Sequence, residues 1–266
     1  AWLTSLSIFI ASGVFWVLRT VFKLEPGFIF LLGAIATLLG TLFALRRAPE
    51  AFIRLVLWLV TRTIYRVRVL GRDHIPARGG ALFVCNHLSL ADALLLQAST
   101  DRPIRFIMFK GIYEKPLIKP WARITQAIPI SSELRPREMI QALRTASDAT
   151  RAGEVVCIFA EGQITRIGQM LPFRRGFQKI MKDVAAPIVP VVLDGAWGSL
   201  FSLEKGHLTW KWPRQIPHRV TVNYGKPLPH TATPFEVRQH VQELMAQAWR
   251  SRRMHMRPLH HAFVKT

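Results

Sequence analysis

Cysteine is scarce in this 266-residue sequence, which limits the sites the chain can build. The two cysteines, Cys85 and Cys157, lie inside the apolar runs ALFVC and VVCIF, so we expect buried thiols and no disulfide framework. No C-x-x-C pair or Cys/His cluster predicts zinc. His260 and His261 are only neighbours in a basic tail, so we expect no metal site.

Acidic residues are also few. The sequence has 16 aspartates and glutamates but 36 lysines and arginines, which gives a net charge of +20 at pH 7. A field of this sign attracts polyanions such as nucleic acid, anionic lipid headgroups or an acidic protein. Half of the residues are nevertheless hydrophobic, which is high for so charged a chain. The composition predicts a negatively charged partner and a large apolar surface to bury.

Charge is absent from two long runs near the start, residues 1–18 and 27–45. Each is about long enough to cross a ~30 Å hydrocarbon core as a helix. Pro26 breaks the chain between them, so we predict a transmembrane helical hairpin over residues 1–47. A buried hairpin of a globular domain is the alternative.

The charges around these runs predict the orientation. Arg46, Arg47 and Arg54 follow the second run, and the positive-inside rule places that end in the cytoplasm. Arg19 and Lys23, between the runs, weaken this bias without reversing it. We therefore expect an integral membrane protein, in a bacterial inner membrane, whose remaining domain lies on the cytoplasmic face.

Residues 48–68 mix Leu, Val, Trp and Tyr with several arginines. We predict an interfacial amphipathic helix here, followed by a strand at RVRVLG. A short third membrane span is the alternative.

The rest of the chain alternates short apolar runs with helical patterns. We predict strands at 81–85, 104–109, 127–130, 155–159, 188–193 and 219–224, and helices at 90–98, 115–125, 136–152, 174–185 and 234–252. This pattern predicts an α/β domain over 69–252, with a largely parallel sheet flanked by helices, and a basic tail at 253–266. Such sheets bind ligands outside the carboxyl ends of their strands.

The segment CNHLSLAD follows one predicted strand and places His87 five residues before Asp92. An imidazole can act as a general base near neutral pH. A carboxylate at its second ring nitrogen fixes the tautomer and stabilises the imidazolium that forms. No G-x-S-x-G motif supplies a nucleophile, and Ser89 has no special context. The pair therefore predicts a base that activates a hydroxyl of the substrate.

Further polar residues follow other predicted strands. Glu161 can accept hydrogen bonds from hydroxyls, and Gly162 permits a tight turn. Lys110 follows the strand IRFIMF. Donors suited to a phosphate come after Gly162, at Arg166, Arg174 and Arg175.

Together these blocks resemble the glycerophospholipid acyltransferase family, in its lysophosphatidic-acid-acyltransferase-like group. NHLSLAD at 86–92 is similar to the family's first block, N-H-x4-D. FAEG at 159–162 is similar to its third block, usually F-P-E-G, and IVPV at 188–191 to its fourth. The lysine and proline that the family has after its second strand correspond to Lys110 and Pro116.

The resemblance implies a membrane-bound O-acyltransferase of phospholipid biosynthesis. Such an enzyme moves a fatty acyl group from acyl-CoA or acyl carrier protein to the free hydroxyl of a lysophospholipid, with no cofactor besides this thioester. It implies His87 as the general base and Asp92 as the carboxylate that orients it. The substrate-binding residues that it implies are Asn86, Lys110, Glu161, Gly162 and Arg166.

Two departures from the family pattern concern the acceptor. Ser132 stands where the second block normally ends in a phosphate-gripping arginine, with Arg135 or Arg137 as substitutes. In FAEGQITR, Ala160 replaces the proline and Arg166 is displaced by two positions. Both changes argue against a bare phosphate acceptor such as lysophosphatidic acid.

The E-G-x-I-T form is similar to the acyltransferase part of bifunctional lysophosphatidylethanolamine acyltransferase/acyl-carrier-protein synthetases. Some relatives of those enzymes are fused behind a lysophospholipid transporter. The start at Ala1 and the hairpin would suit a piece of such a chain. The resemblance thus implies a transporter or acyl-activating domain, fused or associated.

Three other functions stay open. A nucleic-acid binder would cluster its basic residues with stacking aromatics, whereas here they are scattered. An inactive acyltransferase-like domain, serving as a membrane scaffold or part of a transporter fusion, is the main alternative. A hydrolase would use the same base on water. Candidate residues for an acyl-chain groove are Trp121, Trp197, Trp210 and Trp212, with core or interfacial aromatics as the alternative for each.

Overall fold

The structure, a computed structural model, describes residues 2–116, 118–131, 136–206 and 216–256. The chain forms two compact units, Ala1–Phe52 and Ile53–Thr266. The first unit is helical, and the second holds a seven-stranded sheet.

Two apolar helices, α1 (Trp2–Thr20) and α2 (Pro26–Arg47), make up most of the first unit. They meet at Phe15 and Phe30, whose ring centroids lie 5.9 Å apart. Among the described residues, one helical segment, Pro26–Ala44, is both long and apolar enough to span a membrane, and 6% of it is buried. The apolar N-terminal helices expected from the sequence are confirmed, and their crossing of a membrane stays a prediction.

Helix α3 (Pro49–Thr63) leads into the second unit. On one side Leu57 is buried, and Val60 and Ile64 pack on the core of the sheet. On the other side the Trp58 side chain is 56% exposed. The helix is therefore amphipathic, with an open side that carries apolar residues.

Seven strands form one sheet in the order β1-β7-β6-β2-β5-β3-β4. These are β1 (Tyr65–Leu70), β2 (Ala81–Cys85), β3 (Ile104–Phe109), β4 (Ile128–Ile130), β5 (Val155–Phe159), β6 (Ile188–Asp194) and β7 (His218–Tyr224). The helices of this unit after α3 are α4 (Asp92–Ser99), α5 (Lys110–Tyr113), α6 (Lys119–Ile124), α7 (Pro136–Arg151), α8 (Gly176–Met181) and α9 (Pro234–Met256). The predicted α/β class is confirmed.

The sheet is largely parallel, as predicted, with one reversal. Strands β6, β2, β5, β3 and β4 run in one direction. Strand β7 pairs antiparallel with β6 and parallel with β1. The amino ends of β1 and β7 therefore lie at the edge of the sheet where the other five strands have their carboxyl ends.

Alternate side chains of the central strands face two helical layers. Leu82 and Val84 of β2 pack in a cluster with residues of α7, α8 and α9, whereas Phe83 and Cys85 pack on the other face with residues of α4. Because both faces are covered, the strands appear in the sequence as continuous apolar runs.

The connections diverge beside β2 and β5, which are neighbours in the sheet. From β2 the chain passes through α4 to β3, beyond β5. From β5 it passes through α8 to β6, on the other side of β2. These two connections lie on opposite faces, so the direction of the chain connections changes at the carboxyl ends of β2 and β5. Open α/β sheets bind their ligands at such a point.

Candidate active site

The loop that leaves β2 holds the predicted His–Asp pair. Nδ1 of His87 lies 2.9 Å from Oδ2 of Asp92, as the five-residue spacing predicts. The Asp92 side chain is fully buried, whereas 18% of the His87 side chain is exposed. Because Nδ1 is held by the carboxylate, Nε2 is the ring nitrogen left to exchange a proton.

Asp92 is held by the loop that it closes. Its Oδ2 accepts the main-chain N–H groups of Leu88 and Ser89 at 2.6 and 2.9 Å, and its Oδ1 accepts the Ser89 hydroxyl at 2.8 Å. Asp92 is also the first residue of α4, where a helix favours negative charge. The helix starts two residues later than predicted, because the preceding residues wrap around this carboxylate. The network fixes the group that orients His87.

Glu161, two residues after β5, connects this loop to the next one. Its Oε1 accepts the main-chain N–H of His87 at 2.8 Å, and its Oε2 accepts that of Leu171 at 2.7 Å. Glu161 is 2% exposed. Burial raises the pKa of its carboxyl above the ordinary value, against the lowering effect of these two hydrogen bonds. The sequence did not predict that the Glu161 carboxylate binds the main-chain N–H groups of two loops.

Gly162 makes the tight turn that the sequence predicts. Its φ is +73°, which glycine adopts without strain, and its N–H donates to the carbonyl of Phe159 at 3.0 Å. A Cβ at this position would lie 2.8 Å from Nε of Arg174. The main-chain N–H of Arg174 donates to the carbonyl of Ala160 at 2.8 Å. The Arg174 side chain therefore crosses the turn that carries Glu161.

Asn86 joins β2 to β6 where the two strands end. Its side-chain amide donates to the carbonyl of Leu193 at 3.0 Å and accepts the N–H of Leu193 at 2.8 Å. The side chain is fully buried. Since both polar groups of the amide bind Leu193, this residue fixes the start of the 86–92 loop.

The His87 ring stacks on Phe159, with centroids 4.1 Å apart and planes inclined by 13°. Phe159 also stacks on Phe106 at 6.4 Å, and Phe106 on Trp121 at 6.0 Å. The sequence predicts Phe159 as the last residue of a strand and the first of the FAEG block, but it does not predict this contact with His87. Its position directly before the A-E-G block was the available signal.

The segment after β6 packs against the 86–92 loop. The N–H of Leu90 donates to the carbonyl of Phe201 at 3.1 Å, and Ser89 pairs with Ser202 in an isolated β-bridge. The loop is thus held by its own Asp92, by Glu161 after β5, and by this segment after β6.

The remaining predicted substrate-binding residues are more peripheral. Lys110 is exposed after β3, with its Nζ 3.6 Å from Oε2 of Glu138, and Arg166 is exposed on the loop after β5. Six residues considered in the sequence lie outside the described residues: Ser132, Arg135, Trp210, Trp212, His260 and His261.

The thiols and hydroxyl around the pair are not placed to act as nucleophiles. Cys85 and Cys157 are fully buried, and burial raises the pKa of both thiols. The Ser89 hydroxyl donates to Asp92. Over the described ranges, no three His, Cys, Asp or Glu side chains are grouped as metal ligands. The arrangement therefore presents Nε2 of His87 as a group that can exchange a proton with a bound molecule.

Comparison with known proteins finds relatives of this domain. Residues 66–194 match the sequence model of the family described as Acyltransferase. The chloroplastic 1-acyl-sn-glycerol-3-phosphate acyltransferase BAT2 of Brassica napus is 26% identical over 156 residues, which is 58% of this chain and 45% of that protein. The 1-acyl-sn-glycerol-3-phosphate acyltransferase of Cocos nucifera is 28% identical over 178 residues, 66% of this chain and 53% of that protein. The chain spans about half the length of these curated relatives.

A solved structure shares the fold. The crystal structure of the 1-acyl-sn-glycerophosphate (LPA) acyltransferase PlsC from Thermotoga maritima matches with a TM-score of 0.58 and 20% identity, over 94% of this chain and 97% of that one. At this identity the likeness establishes the fold alone. The family match runs from β1 through β6 and includes His87, Asp92 and Glu161. Residues 66–194 are thus similar to the Acyltransferase family, and the relatives bear out the predicted likeness to lysophosphatidic-acid-acyltransferase-like glycerophospholipid acyltransferases. The likeness to the bifunctional enzymes stays a prediction.

Proposed function

We propose that this protein is a lysophospholipid O-acyltransferase of the 1-acyl-glycerol-3-phosphate type. The observation that carries the proposal is the His87–Asp92 pair within a domain similar to the Acyltransferase family. Because the Ser89 hydroxyl is bound to Asp92, the pair is suited to act directly on a hydroxyl of the substrate. The relatives described above carry 1-acyl-sn-glycerol 3-phosphate in their names.

In the proposed reaction Nε2 of His87 takes the proton of the acceptor hydroxyl while the hydroxyl oxygen attacks the thioester carbonyl. The tetrahedral intermediate collapses, the carbon–sulfur bond breaks, and the leaving sulfur takes the proton from the imidazolium. Asp92 keeps the proton on Nδ1 and stabilises the imidazolium between the two steps. An ester and a thiol are released, and His87 returns to its starting state.

Two buried side chains act in this proposal by positioning the base. Glu161 holds the main chain of His87, and Asn86 holds the start of its loop on Leu193. Positioning of this kind is valuable because small displacements of reacting groups reduce rates strongly.

The acceptor phosphate is proposed to bind Arg174. Its exposed side chain crosses the turn at Gly162, and a guanidinium group can bind phosphate through two hydrogen bonds. Arg166 and Lys110 are the further cations of this proposal. Ser132 and the displaced Arg166 instead predict an acceptor with a phosphoethanolamine headgroup. This acceptor stays a prediction, as the alternative to an acceptor with a bare phosphate.

The remaining parts of the proposal concern the membrane and the donor. The hairpin α1–α2 anchors the protein in the membrane, and Arg46 and Arg47 at the end of α2 favour a cytoplasmic sheet domain. The donor is an acyl-CoA or an acyl carrier protein, with no other cofactor. A transporter or acyl-activating domain, fused or associated, belongs to the same proposal.

Acyl transfer by the purified full chain in detergent tests this function. Labelled acyl-CoA or acyl carrier protein is offered with lysophosphatidic acid, lysophosphatidylethanolamine and lysophosphatidylglycerol, and the products are separated. We expect ester formation that falls about 10²- to 10⁴-fold in His87→Ala. The control His240→Ala removes a histidine of α9 and should keep the activity.

Each outcome of this assay supports a different function. Preference for lysophosphatidic acid supports the phosphate-type acceptor, whereas preference for lysophosphatidylethanolamine keeps the mechanism and changes the headgroup. Free fatty acid as the product indicates a hydrolase. A folded wild type without transfer to any acceptor contradicts the proposal and favours an inactive membrane scaffold.

A further inference from the structure

Three arginines form a row on one face of the sheet: Arg66 and Arg68 of β1, and Arg219 of β7. Arg66 and Arg219 are partners in the parallel register, and all three are exposed. Tyr65 and Val67 point to the opposite face, into the core. Neighbouring strands lie about 4.8 Å apart, and residues two apart on a strand about 6.6 Å. The row thus places three exposed arginines at neighbouring positions on one face.

The arginine row lies at the same edge of the sheet as the His–Asp pair. In the antiparallel pairing, Asp194 at the end of β6 lies opposite Thr221 of β7. Arg219 therefore lies past the carboxyl end of β6. Leu193, next to Asp194, is the residue that Asn86 binds at the start of the 86–92 loop. The row is two to three strands away from β2 along this edge.

The placement of the row has an electrostatic cost. Like charges on opposed positions of neighbouring strands repel each other. Within the described part of the chain, neither Arg66 nor Arg219 has an ion pair with a carboxylate. Charges on an edge strand discourage pairing between sheets, but β7 is an inner strand, so edge protection does not explain Arg219. An anion bound from outside would offset the repulsion.

The exposed side chains of helix α3 indicate the chemical class of this bound anion. The N–H of His218 donates to the carbonyl of Ile64 at 2.8 Å, so the end of α3 lies at the same edge. The helix exposes Leu55 (53%) and Trp58 (56%), and the guanidinium of Arg62 lies 5.8 Å from the Trp58 ring. Exposed apolar and Trp side chains beside cations fit the headgroup region of a bilayer. A soluble acidic protein would leave the apolar side chains without a partner.

We propose that the arginine row binds the phosphates of anionic lipids and holds the active-site edge of the sheet towards the membrane surface. This interaction goes beyond acyl transfer and does not depend on it. Each arginine near an anionic surface strengthens binding about fivefold at physiological salt. Two of them therefore change binding about 25-fold.

Hydrogen exchange of the full chain in lipid nanodiscs tests the proposal. One set of discs contains phosphatidylcholine, and the other is enriched in phosphatidylglycerol. In the wild type, peptides covering 64–70 and 217–222 should exchange severalfold more slowly in the anionic discs, and high salt should abolish the difference, since charge is screened within about 3 Å at 1 M. The variant Arg66→Gln/Arg219→Gln should lose most of this dependence on lipid charge, because Arg68 alone remains in the row.

A matched variant controls for net charge. Arg144→Gln/Lys182→Gln removes two positive charges from exposed positions on and after helices α7 and α8, and it should keep the lipid dependence. Equal exchange of the wild type in both discs, or a salt-resistant difference, would overturn the proposal. The same holds if the row variant keeps the lipid dependence. Slowing by acyl carrier protein in neutral discs, without any effect of anionic lipid, would assign the row to an acidic protein instead. Acyl transfer is not measured, so these results do not depend on the proposed reaction.

Discussion

Oε1 of Glu161 accepts the main-chain N–H of His87 at 2.8 Å, so a residue after β5 holds the proposed general base after β2. The two strands are parallel neighbours whose last residues, Cys85 and Phe159, are paired. This hydrogen bond continues their contact past the end of the sheet. The placement of the imidazole therefore depends on the second loop as much as on its own.

The variant Glu161→Gln should lower kcat about tenfold or more and destabilise the fold by about 1–3 kcal/mol, because glutamine offers one acceptor oxygen where two N–H groups need one each. Steady-state kinetics and thermal unfolding check both effects. Glu154→Gln, at a half-exposed position paired with Arg105, serves as the control. Wild-type kcat in Glu161→Gln would mean that other contacts suffice to place His87.

The same carboxyl should make stability depend on pH. Because burial raises the pKa of Glu161, the folded protein binds this proton more tightly than the unfolded chain does. The stability that it contributes is fully present below the ordinary carboxyl pKa and is lost as the pH rises through the raised pKa. Melting temperatures of wild type and Glu161→Gln across this window measure the effect. We expect a smaller decline in the variant; parallel curves would contradict this linkage.

Asp92→Asn should reduce kcat by about 10²- to 10⁴-fold, since the amide can present an N–H to Nδ1 of His87 and stabilise the wrong tautomer. The control is Asp101→Asn, whose side chain is 95% exposed and pairs with Arg72. Kinetics with saturating acceptor separate a loss of kcat from weaker binding. An active Asp92→Asn enzyme would rule out the proposed role of the carboxylate.

Phe159→Leu should lower kcat up to about tenfold, because leucine fills apolar space but cannot stack on the imidazole. Phe83→Leu is the matched change: Phe83 is fully buried in the same core and stacks edge-on with Tyr224. Both variants should lose stability, but only Phe159→Leu should lose kcat. Equal kcat values would show that the stack does not position the base.

Gly162→Ala should raise KM for a phosphate-bearing acceptor several-fold. The new Cβ meets Arg174, and the positive φ adds strain of about 1–2 kcal/mol. Gly79→Ala isolates the strain, because Gly79 has φ +78° and no neighbour within 4 Å of an added Cβ. A similar KM in both variants would remove Arg174 from the proposed phosphate site.

Much of the fold could be predicted because each central strand is buried on both faces. The predicted runs at 81–85, 104–109 and 155–159 coincide with β2, β3 and β5. The reversal of β7 could not be predicted, because an apolar run has the same local pattern in either direction. The predicted helix at 115–125 is shorter in the structure, α6, Lys119–Ile124.

The site was predictable only where its contacts are local. The distance between His87 and Asp92 follows from their spacing within one loop. The contacts of Glu161 with His87, and of Asn86 with Leu193, join segments 74 and 107 residues apart. Such contacts depend on strand order, which the spacing of motifs along one chain does not encode.

The bridge between Ser89 and Ser202 has a consequence for biosynthesis. The 86–92 loop is complete only when residues about 110 positions later have been made and have added β6 beside β2. Closing a loop of this length is slow relative to local structure formation. Helices α1 and α2 are therefore synthesised well before the residues that complete the 86–92 loop, so the proposed active site can form only after β6 has been made.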